Sequence, residues 1–252
     1  MARSAAQRPS DGAQDPQGML ALTARFCEWL LVHNYSEVTV ASNRKYLDYF
    51  AAWAEQRGLT QPRAISKPIL ERYQRFLFHY RKANGDPLTF RSQFNHLQPL
   101  RSWFKWLTKH NHILYNPASE LELPKLEKRL PKFVLSASEA EQVLAMPKIA
   151  ETLGLRDRAM LETFYSTGMR RMELLALKVY ALDADRGTVT IRQGKGKKDR
   201  IVPIGERALA WIDRYLREVR PGLLVGDKAG DVLFLSNLGE AFTASRLTHL
   251  VR

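Results

Sequence analysis

Arg170 and Glu173 stand three residues apart in Ser166-Thr167-Gly168-Met169-Arg170-Arg171-Met172-Glu173-Leu174-Leu175-Ala176-Leu177, and Lys195 stands between two glycines in Gly194-Lys195-Gly196-Lys197-Lys198-Asp199. An arginine held at a rigid corner can present its planar fork to two phosphate oxygens at once. A lysine on a glycine-flanked turn can follow a phosphate oxygen or donate a proton to a departing one. Glu173 suits a structural partner for a basic side chain or for the amides of the corner. Lys197, Lys198 and Arg200 read as solvated residues or as general contacts to a nucleic-acid backbone. A Gly- and Lys-rich turn also suggests a nucleotide-binding loop, but no Gly-Lys-Ser/Thr leads from a strand into a helix here, and that reading is set aside. Arg170 also reads as an ordinary surface residue at a helix start, mildly disfavoured by the helix dipole. Both readings stay open at the level of these residues.

The elements that must position these groups follow from the apolar spacing. A helix ends at Gly168 and another begins almost at once, over about 172–177, which makes the corner. Thr188-Val189-Thr190-Ile191-Arg192 alternates as a strand, with Arg200-Ile201-Val202-Pro203-Ile204 as its partner across the Gly-Lys turn. Upstream, Ser136 or Ser138, each followed three residues later by a glutamate, makes a capping box for a helix to about Ala145. Downstream come a helix over about 206–219, an apolar run at Val232–Leu235 and a last helix from Thr243. The region 136–252 is therefore mixed α and β.

The region 18–123 reads as a small helical bundle. Leu20, Phe26, Trp29 and Leu30 share one face of a first helix. A second starts near Ser36–Thr39, carries Tyr46, Leu47, Phe50 and Trp53 inward and stops at Gly58. A third begins at Ser66 with Pro68 in its first turn and carries Leu70, Tyr73, Phe76 and Leu77 inward. The turn Asn84-Gly85-Asp86-Pro87 ends it. A fourth runs from Thr89 to about Lys109 with Phe90, Phe94, Leu97, Phe104 and Leu107 inward, and Pro99 is expected to kink or split it. Residues 1–17 have no periodicity and read as a disordered lead-in. Residues 124–135 are basic, bracketed by prolines, and read as an interdomain linker.

Composition narrows the partner. The 252 residues carry 39 Lys and Arg against 26 Asp and Glu, a formal charge of +13, with 45% apolar residues. The surplus is +7 through Lys125 and +6 beyond it, so both regions favour a polyanion. A basic soluble enzyme is the competing reading of charge alone. Cys27 is the only cysteine, which excludes an internal disulfide and fits a reducing compartment. No apolar run reaches about 18 residues and the start is polar, so a cytoplasmic protein away from membranes is expected.

Taken together, Ser166–Leu177 and the hairpin Gly194–Pro203 resemble the tyrosine recombinase (phage integrase, Xer-type) family. Tyr35-Ser36-Glu37-Val38-Thr39 followed by Tyr46–Trp53, and Leu100–Leu107 leading to Asn116-Pro117-Ala118, are similar to that family's helical core-binding region. The junction from Leu130-Pro131 to Leu135-Ser136 also matches, so the resemblance covers roughly residues 19–252. It implies a mainly α fold with a small antiparallel β element: a helical, SAM-like core-binding domain and an α+β catalytic domain that together clamp double-stranded DNA. It also implies tetramers on two DNA sites, no metal and no other cofactor.

By resemblance Arg170 is the first catalytic arginine, stabilising charge on the scissile phosphate, and Lys195 is a general acid for the departing 5′ oxygen. Glu173 matches an acidic position of structural role. The family's His-x-x-Arg box and its nucleophilic tyrosine, which forms a 3′-phosphotyrosine link, are expected beyond Arg252. His249-Leu250-Val251-Arg252 spells His-x-x-Arg but falls on the helix that precedes the expected box, where it reads as a solvated face. Tyr165 and Tyr215 read as core or half-buried packing. The expectation is a recombinase chain, incomplete at its C-terminus, that binds DNA, does not cleave it alone and whose self-assembly is in doubt. The alternative is a non-catalytic DNA-binding protein or regulator derived from that fold. Thr39, Ser42, Asn43 and Arg44 on the second helix, and Arg91, Gln93, Asn95 and Arg101 on the fourth, are expected to face DNA, each competing with a plain hydrated surface. Lys197 and Lys198 join them from the hairpin.

Overall fold

Side-chain caps and buried aromatics set the helices of the first region. The computed structural model describes residues 15–127, 134–194, 196, 198–225 and 230–251. Helix α1 spans Met19–Val32, α2 Glu37–Glu55, α3 Lys67–His79 and α4 Phe90–Lys109. The Ser36 hydroxyl accepts the Thr39 N–H at the start of α2, and the Thr89 hydroxyl accepts the Ser92 N–H at the start of α4. Gly58, at φ 70°, turns the chain out of α2. Pro99 does not split α4, which continues through it. Pro99 is buried there, so packing compensates for the backbone donor it lacks.

The apolar faces of these helices meet in one core around Phe26, Phe50, Trp53, Tyr73, Trp103 and Phe104. Several expected inward positions are not in it. Leu20, Phe76 and Phe90 are exposed, because the helices turn only part of each apolar stripe to their neighbours. Trp103 and Trp106 take the places that the expectation left empty. Part of the expected lead-in is ordered. The Asp15 carboxylate accepts the Gln17 N–H and the Gln61 amide, tying down residues 15–17 of the expected lead-in. Residues 1–14 of that lead-in lie outside the described residues, as do 128–133 of the expected linker.

The chain divides into two compact units, residues 1–130 and 131–252. In the second, α5 spans Ala137–Ala145, α6 Thr152–Thr167 and α7 Arg171–Ala176. Ser136, rather than Ser138, makes the capping box with Glu139. Strands β1 (Leu182–Asp183), β2 (Thr188–Ile191) and β3 (Arg200–Pro203) form an antiparallel sheet in chain order, with Thr190 opposite Ile201 and Ile191 opposite Arg200. The short β1 went unforeseen, since two residues carry no readable alternation.

Helix α8 (Glu206–Arg214) continues through a π turn at Tyr215–Val219 into α9 (Arg220–Leu223), and α10 spans Ala244–Leu250. The run Val232–Leu235 forms no strand. It supplies Leu233, Phe234 and Leu235 to a core shared with Met160, Val189, Ile191 and Ile212. Mainly helical with one small antiparallel sheet, the fold agrees with the class expected from the sequence. Among the described residues no helix is long and apolar enough to cross a membrane.

Candidate active site

Gly168 makes the corner possible. It closes α6 in the left-handed region, at φ 59°, where an L side chain is strained, and the next helix begins three residues later. Hydroxyls lock the turn: Thr167 Oγ1 donates to the Thr163 carbonyl and accepts the Met169 N–H. Ser166 Oγ accepts the Gly205 N–H at 2.7 Å, fastening the start of α8 to the same place. One turn back, the buried Glu162 carboxylate takes Arg158 on one oxygen and Arg207 on the other, and Arg207 also reaches Glu141. Helices α5, α6 and α8 are thereby linked behind the corner. Arg171 Nη1 donates to Thr248 Oγ1, tying α7 to α10.

At the front of the corner Glu173 sits with only 6% of its side chain exposed. One oxygen accepts the Arg170 backbone N–H at 2.8 Å and Arg200 Nη2 at 2.6 Å, the other Arg200 Nη1 at 2.9 Å and Arg170 Nη1 at 3.1 Å. The hydrogen bonds from Arg200 in particular, with the further donors, hold the carboxyl down at about 2 in spite of burial, which pushes the other way. The carboxylate therefore joins the α7 corner to β3, the second strand of the hairpin. The hairpin closes over the pair. A Cβ built on Gly194 meets Arg200 Nη1 at 2.8 Å and both Glu173 Oε1 and the Lys198 carbonyl at 3.0 Å, so only glycine fits without displacement.

Arg170 emerges from this arrangement with 58% of its side chain exposed. Among the described residues its Nε and Nη2 have no protein acceptor, which leaves an edge of the guanidinium for an external anion. Lys195 and Lys197 lie outside the described residues. Lys198 is exposed, and its carbonyl accepts the Gly194 N–H across the turn. Arg200 was expected to be solvated or a general contact to a nucleic-acid backbone, and the structure corrects this, since both of its terminal nitrogens are committed to Glu173. The missed signal was strand alternation: Arg200 shares the half-buried face of β3 with Val202, while Ile201 points out at 68% exposure.

The two tyrosines differ. Tyr215 is fully buried, as expected, and its hydroxyl accepts the Leu235 N–H. Tyr165 is not core or half-buried packing: it is exposed, because it points away from the side of α6 that carries Ala159 and Thr163. His249 is exposed on α10, and Arg252 lies outside the described residues.

In the first unit Thr39, Ser42, Arg44, Arg91, Asn95 and Arg101 are exposed. Asn43 is half-buried and donates to the Thr39 carbonyl, and Arg44 lies 3.8 Å from Asp48. Gln93 is a correction. It is buried, and its amide donates to the Leu88 carbonyl just before α4, so it has no face toward DNA.

Residues 134–252 match the phage integrase family. The chain is 52% identical over 247 residues to Tyrosine recombinase XerC 2 of Ralstonia nicotianae, covering 95% of this chain and 70% of the relative. It is 37% identical over 232 residues to Tyrosine recombinase XerD of Pseudomonas aeruginosa, covering 92% of this chain and 74% of that protein. Its fold matches the Tn1549 transposon integrase in complex with circular intermediate DNA, with a TM-score of 0.64 at 18% identity over 93% of this chain and 77% of the other.

Proposed function

The chain belongs to the phage integrase family of tyrosine recombinases, and we propose that it binds double-stranded DNA and serves site-specific recombination by transesterification at a phosphodiester. The observation that carries this reading is Arg170: a guanidinium fixed at its base by the Glu173 carboxylate, with an open edge facing outward.

In such a transesterification a tyrosine oxygen bonds to phosphorus while the bond to the 5′ oxygen breaks. Charge builds on the two non-bridging oxygens, where a preorganised guanidinium stabilises it without reorganising at the moment of reaction. Lys195 is assigned, from the family resemblance, the proton that the 5′ oxygen takes up. Neither Tyr165 nor Tyr215 is assigned the nucleophile. The Tyr215 hydroxyl is buried and already engaged, and among the described residues the charged contact to Tyr165 is the Arg207 guanidinium 5.7 Å from its ring, not at its hydroxyl. Holding DNA is accordingly the role given to these residues. Thr39, Ser42, Arg44, Arg91, Asn95 and Arg101 supply contacts from α2 and α4, and Lys197 and Lys198 from the hairpin. The place of action is the compartment that holds the DNA, which we read as the cytoplasm.

The test is affinity for a duplex that the protein selects from a random library. Arg170→Ala is expected to weaken binding by about 1–3 kcal/mol, roughly 5- to 150-fold, as the loss of a charged hydrogen bond does. The slope of log affinity against log salt should fall by about one phosphate contact. Unchanged affinity and slope would remove the phosphate from this corner.

A further inference from the structure

Glu173 poses an electrostatic problem for the site just proposed. A buried carboxylate within 3.1 Å of Arg170 Nη1 pairs with the very group that must attract a phosphate. Left with Arg170 alone it would cancel that charge and draw the guanidinium inward. The hydrogen bonds show how this is avoided. Arg200 gives Glu173 two bonds, at 2.6 and 2.9 Å, one to each oxygen, whereas the Arg170 side chain gives one, at 3.1 Å. The carboxylate is thus committed mainly to Arg200. That residue is itself poorly placed to meet a phosphate, since both of its terminal nitrogens donate to Glu173 and Gly194 packs close to Nη1, where even a Cβ would come within 2.8 Å.

We propose that Arg200 is a positioning residue that acts through charge: it neutralises Glu173 so that Arg170 keeps a free positive edge for the DNA phosphate. The two guanidiniums and one carboxylate carry a net charge of one, and the exposures of 58% for Arg170 and 35% for Arg200 put that charge on the outer residue. Glu173 still holds the Arg170 backbone N–H, so the corner stays fixed while the side chain stays available. The proposal rests on the phosphate-binding reading of Arg170.

Lysine and glutamine at position 200 separate charge from shape. Both lose the planar fork, and only lysine keeps the positive charge. With the full chain and its selected duplex, Arg200→Lys is expected to bind within about 3-fold of the parent. Arg200→Gln should lose at least 10-fold and lower the salt slope by about one contact, as Arg170→Ala does. Adding Glu173→Gln to Arg200→Gln removes the uncompensated carboxylate and should restore the slope and most of the affinity. Equal losses in the lysine and glutamine variants, each folded by circular dichroism, would overturn the proposal and leave Arg200 a purely geometric clamp. So would a folded double variant no better than Arg200→Gln. If the double variant does not fold, the lysine–glutamine comparison decides alone; if either single variant does not fold, Arg200 is structural and the proposal fails. An Arg170→Ala variant that binds like the parent would instead sink the phosphate-binding reading itself.

Discussion

Glu173 holds one negative charge against two guanidiniums in a nearly dry position, and its proton affinity records the balance. Its carboxyl is lowered from 4.5 to about 2, first by the Arg200 hydrogen bonds. A group whose folded value lies below its unfolded one stabilises the fold fully above the unfolded value and loses that contribution as pH falls toward the folded one. Glu173→Gln should therefore cost about 3 kcal/mol at neutral pH, in the range for breaking a buried ion pair. The gap between parent and variant should stay constant down to about pH 4.5 and narrow below it. Urea unfolding of both proteins from pH 7 to pH 3 measures this. A gap that widened on acidification would contradict the assigned network.

The corner and the hairpin depend on two glycines for different reasons. Gly168 has φ 59° and open space where a Cβ would go, so its constraint is purely conformational. Gly168→Ala should cost about 1 kcal/mol through left-handed strain and leave the packing unchanged. A shift of the urea midpoint with no change in its slope would show this, and an unshifted midpoint would mean that the corner relaxes freely. Gly194, by contrast, is constrained by what lies above it, the Arg200–Glu173 pair. Spacing alone exposed the first of these glycines, because a residue that ends one helix and precedes another is a local signal. The second needs a residue twenty-one positions earlier to be brought underneath it.

Across the whole molecule the charge is not a local feature. The surplus of +13 is shared almost equally between the regions on either side of Lys125. DNA affinity should accordingly fall steeply with salt, with a log–log slope of about −0.9 for each phosphate neutralised. Binding measured between 50 and 300 mM salt checks this, and a flat profile would argue against a polyanionic partner. If the proposed α2 and α4 contacts hold, their exposed arginines Arg44, Arg91 and Arg101 should each add to that slope. Gln93 does not, since it faces the core.

Helix positions, the Gly168 corner, the β2–β3 hairpin and the family resemblance were legible in the sequence, because each rests on local periodicity, capping or turn chemistry. The sequence also determined the basic character and the choice of Arg170 as the phosphate candidate. Glu173 as a partner of a basic side chain or of the corner's amides was also legible, and only the tertiary structure decided that it does both and that Arg200 is its main basic partner. Their contact spans 27 positions and depends on which face of β3 turns toward α7. It likewise decided that Gln93 faces inward and Tyr165 outward, since a polar or aromatic residue at a helix boundary fits either side until a neighbouring element is in place. Burial is a property of pairs of elements, and a single chain segment carries only half of each pair.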